Sequence, residues 1–121
     1  VSATSTSGGS TTVNAYRVNL TRGEGASSAS AVLDSVSAST YRSAKYNVQV
    51  VDETSGNYEI LECNVMHDGS SAYVAEFGNT GSSTGLITIT ADINSGNLRL
   101  IGAINNLNDH VVKVVRRVVK V

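Results

Sequence analysis

Residues 58–78 read YEILECNVMHDGSSAYVAEFG, and how this stretch divides decides the fold. Leu61, Cys63 and Val65 fall on one face and Ile60 and Met66 on the other, the period-two signature of a strand. Asp68 and Gly69 interrupt the pattern, which resumes in AYVAEFG. Asp-Gly between two alternating runs is a strong hairpin signal, because a type I′ turn needs positive φ at both central residues and these two tolerate it. The stretch therefore predicts a strand, a tight turn and a returning strand.

The same residues invite a chemical reading, since they hold the only cysteine and one of two histidines. Strand geometry argues against it. Cys63 and His67 lie four residues apart on one face, which separates their Cα atoms by roughly 13 Å, whereas an activating base must come within about 3 Å. A catalytic pair would need the remote His110. Cys63 instead reads as a small buried apolar residue, and no catalytic residues are assigned.

The pattern continues on both sides. In YRSAKYNVQVVD, Ala44, Tyr46, Val48 and Val50 share a face, and DETSGN makes a turn before Tyr58. After Gly78, NTGSST is a looser connection to GLITITADI, where Ile87, Ile89, Ala91 and Ile93 are in step. NSGN turns into LRLIGAI, and the polar loop NNLNDH, with His110 read as solvent-exposed, precedes a last strand, VVKVVRRVVKV. Short strands at such regular spacing predict an all-β sandwich or barrel. Only AVLDSVSAS, residues 31–39, is ambiguous with helix.

With 40% hydrophobic and 16% charged residues in 121, the chain suits one domain whose core is built from Val, Ile, Leu and Ala. Valine dominance favours strands. A net charge of −1 supplies no field to draw in nucleic acid or anionic membrane, and no apolar run approaches the roughly 20 residues of a membrane span. A lone cysteine cannot form an internal disulfide. The opening VSATSTSGGSTT lacks the basic start and apolar stretch of a signal peptide, and a start at Val1 reads as a processed terminus or a piece of a longer product.

Weaker motifs resolve to structural readings. Asp92, Asn94 and Gly96 resemble the opening of a calcium loop, but Ala103 stands where the closing acid belongs, so a Ser-Gly turn is preferred and no metal or cofactor is implied. Lys113 and Arg117 fall on one face of the last strand and Arg116 and Lys120 on the other, which argues against a phosphate stripe and for a solvated edge or a subunit contact to a carboxylate. Asn19 in NLT is a possible N-glycan acceptor.

From Tyr41 onward, the ordered motifs YRSAKYNVQVVD, YEILECNVMHDGSSAYVAEFG, ADINSGNLRL and VVKVVRR resemble a β module of structural proteins of tailed bacteriophages, notably those of cyanobacteria and marine bacteria. The match covers about residues 41–117, with Phe77 standing where a Tyr is expected. The resemblance implies a virion building block without enzymatic activity.

These readings combine into an immunoglobulin-like antiparallel β-sandwich over residues 41–121, preceded by a Ser/Thr-rich arm, residues 1–40, with one extended strand at about 13–20. Val13, Tyr16, Val18 and Leu20 are the expected assembly residues, because an extended strand on flexible tethers can complete its own sheet or a neighbour's. The expected function is a non-enzymatic subunit at a virion surface or outside the cell, whose main partners are copies of itself in a tail fibre or filament. The alternatives are capsid decoration beside other virion proteins and, third, a module binding surface glycans, for which few aromatics are available.

Overall fold

The computed structural model describes residues 11–18, 29–106 and 108–121; for residues 11–18 and 29 it describes the backbone alone. The described chain is all-β: β1 (Thr11–Val18), β2 (Ala29–Ser37), β3 (Tyr41–Asp52), β4 (Tyr58–His67), β5 (Ala72–Gly81), β6 (Ile87–Asn94), β7 (Asn97–Ile104) and β8 (His110–Lys120). They form two antiparallel sheets, ordered β1-β8-β3-β4-β5 and β2-β7-β6.

One core lies between the sheets. From the larger sheet it takes Ala44, Tyr46, Val48 and Val50 of β3, Leu61, Cys63 and Val65 of β4, and Val112, Val114 and Val118 of β8. From the smaller it takes Leu33 and Val36, Ile87 and Ile89, and Leu98, Leu100 and Ile104. The faces read from alternation therefore hold: Cys63 is fully buried, while Ile60 and Met66 remain about half exposed. The ambiguous segment is strand β2, paired with β7 and burying Leu33 completely. It falls within residues 1–40, read as an arm, yet contributes Leu33 and Val36 to this core.

The turns obey local chemistry, with one correction. The two-residue type I′ geometry expected at Asp68-Gly69 occurs instead at Ser95-Gly96, where both residues have positive φ (51° and 80°) between the paired Asn94 and Asn97. At Asp68 only Gly69 has positive φ, and the loop spans four residues between the paired His67 and Ala72. The Asp68 carboxylate explains the longer loop, since Oδ1 accepts the backbone N–H of Ser70 (3.0 Å) and of Ser71 (2.8 Å). Those donors, Ser71 foremost, hold its pKa well below the usual carboxylate range. The connection expected at NTGSST is shorter than read, because β5 continues through Gly81.

Two charged or titratable readings change. His110 is the first residue of β8 and fully buried, with Nδ1 2.8 Å from the Asn108 carbonyl oxygen; the polar loop folds over it. Arg116 enters the interior and donates to both Asp34 oxygens at 2.9 Å across the sheets. β8 itself lies between β1 and β3, so the solvated edge expected there is absent among the described strands. Asp92, the first of the calcium-like residues, accepts from Arg99 at 2.7 and 2.6 Å beside the Ser-Gly turn read for this segment.

Candidate assembly site

β1 occupies one margin of the larger sheet, pairing antiparallel with β8 over eight residues from Thr11↔Arg117 to Val18↔His110. β1 thus lies beside β8, which among the described strands would otherwise border the sheet with unpaired backbone groups. In this register Tyr16 stands opposite Val112 and Val18 opposite His110, both buried positions of β8, whereas Val13 stands opposite Val115 in the alternate row. The side chains of Val13, Tyr16 and Val18, and all of Leu20 and Asn19, lie outside the described residues.

The far end of β8 is closed by a polar cluster. Asp52 Oδ1 accepts the backbone N–H groups of Thr54 and Ser55, while Oδ2 accepts from Asn108 (2.9 Å) and Asn106 (3.2 Å). Burial alone would raise the Asp52 pKa, but the donors from Asn108, Ser55 and Thr54 outweigh it and set it well below the ordinary value. His110 Nε2 is 3.8 Å from Asp52 Oδ2 and has no hydrogen-bond partner among the described residues. These contacts anchor the loop before β8 and with it the first residue paired to β1.

Cys63 and His67 stay apart chemically. Burial, and next the negative charge of Glu76, push the Cys63 thiol up to about 12, so the nucleophilic thiolate is suppressed. The His67 ring is engaged at both nitrogens, Nδ1 accepting the Gly69 N–H at 3.0 Å and Nε2 lying 2.7 Å from the Tyr41 carbonyl oxygen. Among the described residues no group of three or more His, Cys, Asp or Glu could hold a metal ion, and no helix is long and apolar enough to cross a membrane.

The outer face of β8, β3, β4 and β5 is the surface that motif reading missed. Register aligns Val119, Ser43, Met66 and Tyr73 in one row, Arg117, Lys45, Asn64 and Ala75 in the next, and Val115, Asn47, Glu62 and Phe77 in a third. Tyr73 is 54% exposed, yet its hydroxyl donates to Asp68 Oδ2 at 2.8 Å, which fixes the ring. Lys45 Nζ sits 3.4 Å from Glu62 Oε1 and 5.7 Å from the centre of the Phe77 ring. Alternation of Tyr73, Ala75 and Phe77 in AYVAEFG was the available signal. Their neighbours on β3 and β8 become visible only through strand pairing.

Fold and surface together define a class: an all-β chain whose described residues form two antiparallel sheets, with β1 on the margin of the larger. No protein-family model matches the chain, and no curated protein matches it. Among solved structures it is similar to the tailspike protein of Acinetobacter phage vB_ApiP_P1 (17% identity, TM-score 0.45, 92% of this chain and 22% of that one). It is also similar to tailspike gp49 of Acinetobacter baumannii bacteriophage Fri1, described as a capsular polysaccharide depolymerase (17%, 0.44, 100% and 21%). A third is the tailspike of Acinetobacter baumannii phage AM24 (13%, 0.48, 92% and 26%). The chain spans about a quarter or less of the length of each.

Proposed function

We propose that this chain is a non-enzymatic structural subunit that assembles by exchanging β1 between neighbouring copies, forming a phage tail fibre, appendage or extracellular filament. The observation that carries the reading is the position of β1: the first described strand pairs with β8, the last, at one margin of the larger sheet. In a variable-type immunoglobulin sandwich, A, B, E and D form one sheet and C″, C′, C, F and G the other; among the described strands none takes the place of A. β2-β7-β6 and β5-β4-β3-β8 follow that order, and β1 takes the place of G. This strand order favours an immunoglobulin-like sandwich with its last slot filled from an N-terminal arm.

The slot that β1 fills beside β8 accepts the same strand from another copy with the same backbone ladder. Tyr16, Val18 and Leu20 supply the apolar alternation for it, and Val13 the adjoining row. Exchange that passes from copy to copy without closing builds a filament. The motif resemblance of residues 41–117 to phage structural proteins supports the virion or extracellular setting.

The test places cysteines at the paired positions Ala15 and Lys113 in a Cys63→Ser background and oxidises the protein after assembly. Covalent ladders on denaturing gels are expected. Intrachain crosslinks alone, in material that negative-stain microscopy shows to be assembled, would sink strand exchange.

A further inference from the structure

We propose that β5 is a second contact between copies: residues 73–77 of two chains pair antiparallel about a two-fold axis through Ala75, so that Tyr73 of each copy meets Phe77 of the other. This goes beyond the assembly reading and uses the opposite margin of the larger sheet.

β5 is the last strand of that sheet, and among the described strands it pairs only with β4. An edge strand presents a row of unpaired N–H and C=O groups, which natural sheets blunt with short strands, Lys, Pro or a bulge. β5 is ten residues long. Its opening stretch, AYVAEF, contains no Pro, Lys or Arg and a single carboxylate, Glu76. The bulge comes only after it, since Glu62 pairs with Phe77 but Ile60 with Thr80, and Gly78 takes φ 70°. Residues 72–77 are thus a regular edge, and the occupant that completes its ladder is another strand.

The order of residues along this edge selects a second copy. A two-fold axis normal to the sheet keeps the outer faces of both copies on one side. Because side chains alternate, that axis must pass through a residue position. Centred on Ala75, it sets Tyr73 opposite Phe77 of the second copy and Phe77 opposite Tyr73 of the second copy. Tyr73 is 54% and Phe77 37% exposed, and both stand on the outer face, so two cross-strand aromatic pairs form at once. Tyr73 enters already fixed by its hydrogen bond to Asp68, which reduces the entropy lost on pairing. Met66, its partner on β4 and half exposed, widens the apolar contact.

Other registers are poorer. Centring on Val74 sets Tyr73 opposite Ala75, and centring on Glu76 opposes two carboxylates. With Ala75 at the axis, Glu76 instead faces Val74, and its carboxylate stays exposed and holds Asn79 Nδ2 at 2.6 Å. The shared edge is about 17 Å long, short enough that covalent trapping is the measurement to use.

Single cysteines in the full chain carrying Cys63→Ser, with Ala15 and Lys113 unchanged, test the register on denaturing gels. Directly opposed Cα atoms, roughly 4.5–5.5 Å apart, lie within disulfide range. Oxidised Ala75→Cys should give a covalent dimer and nothing larger. Tyr73→Cys and Phe77→Cys should each give about tenfold less homodimer, because like positions then lie roughly 14 Å apart, yet should form a mixed dimer when combined. Adding Ala75→Lys, which opposes two ammonium groups at the axis, should abolish that mixed dimer while leaving thermal unfolding unchanged, since Ala75 is exposed. Equal homodimer at all three positions, or a mixed dimer indifferent to Ala75→Lys, would overturn the proposal. So would a monomeric Ala75→Cys chain: slow alkylation of its thiol would assign the edge to another segment of this chain, and rapid alkylation would leave it bare. The ladders expected from Ala15 and Lys113 do not depend on these outcomes, so the two readings fail separately.

Discussion

Tyr46 of β3 and Asp34 of β2 join the two sheets through a buried hydrogen bond, the hydroxyl donating to Oδ2 at 2.8 Å, and Arg116 of β8 closes on the same carboxylate from the larger sheet. Two consecutive strands and a third 82 residues away in sequence thus meet at one group. Removing one partner of such a buried pair leaves the other charge without compensation. Asp34→Ala should therefore cost about 3–5 kcal/mol, and Tyr46→Phe only about 1 kcal/mol, both read from urea unfolding midpoints. A smaller loss for Asp34→Ala than for Tyr46→Phe would contradict the arrangement.

Asp52 should make stability depend on acidity. Its folded-state pKa lies below the unfolded value of about 3.9, so its contribution is fully present above that value. It is lost as pH falls from about 4 through the folded-state pKa. Asp52→Asn should flatten this part of the stability profile, leaving the acid dependence due to Asp68 and Asp92, whose pKa values are also lowered. Thermal melts between neutral pH and about pH 3 would measure the difference; superimposable profiles would remove Asp52 from the account.

Cys63 should be unreactive toward thiol reagents in the folded protein, because it is fully buried and its pKa is raised to about 12. Labelling by an aromatic disulfide reagent is expected to track global unfolding and accelerate with denaturant. Rapid labelling in native buffer would show that β4 opens locally.

Two glycines with positive φ should respond differently to alanine. At Gly81 (φ 155°) an added Cβ would collide with the Tyr58 carbonyl on the neighbouring strand, whereas at Gly56 (φ 77°) it meets open space. Gly81→Ala should cost about 2–4 kcal/mol, and Gly56→Ala about 1 kcal/mol from backbone strain alone. Chemical denaturation of the two variants tests the order.

Strand content and most turns were legible because both are local. Alternation in β3 and β4 separated Tyr46, Val48, Leu61 and Cys63 from Lys45, Ile60 and Met66, and a residue's place in the pleat depends only on its near neighbours. Turn type at residue 68 was misread for an equally physical reason. Asp68 tolerates positive φ, but its carboxylate gains more by accepting two N–H groups in a four-residue loop, a competition that the dipeptide does not display.

By itself the sequence determined an all-β chain of alternating strands, the turn at Ser95-Gly96, and a Cys63 too far along its strand to meet His67. Tertiary structure alone decided that Arg116 turns inward to Asp34, that His110 is buried, that β1 lies beside β8, and that Tyr73, Lys45 and Arg117 share one surface. Those outcomes depend on which strands become neighbours and in what register. Segments with nearly identical alternation can pair in many ways, and only the packing of both sheets around one core selects among them.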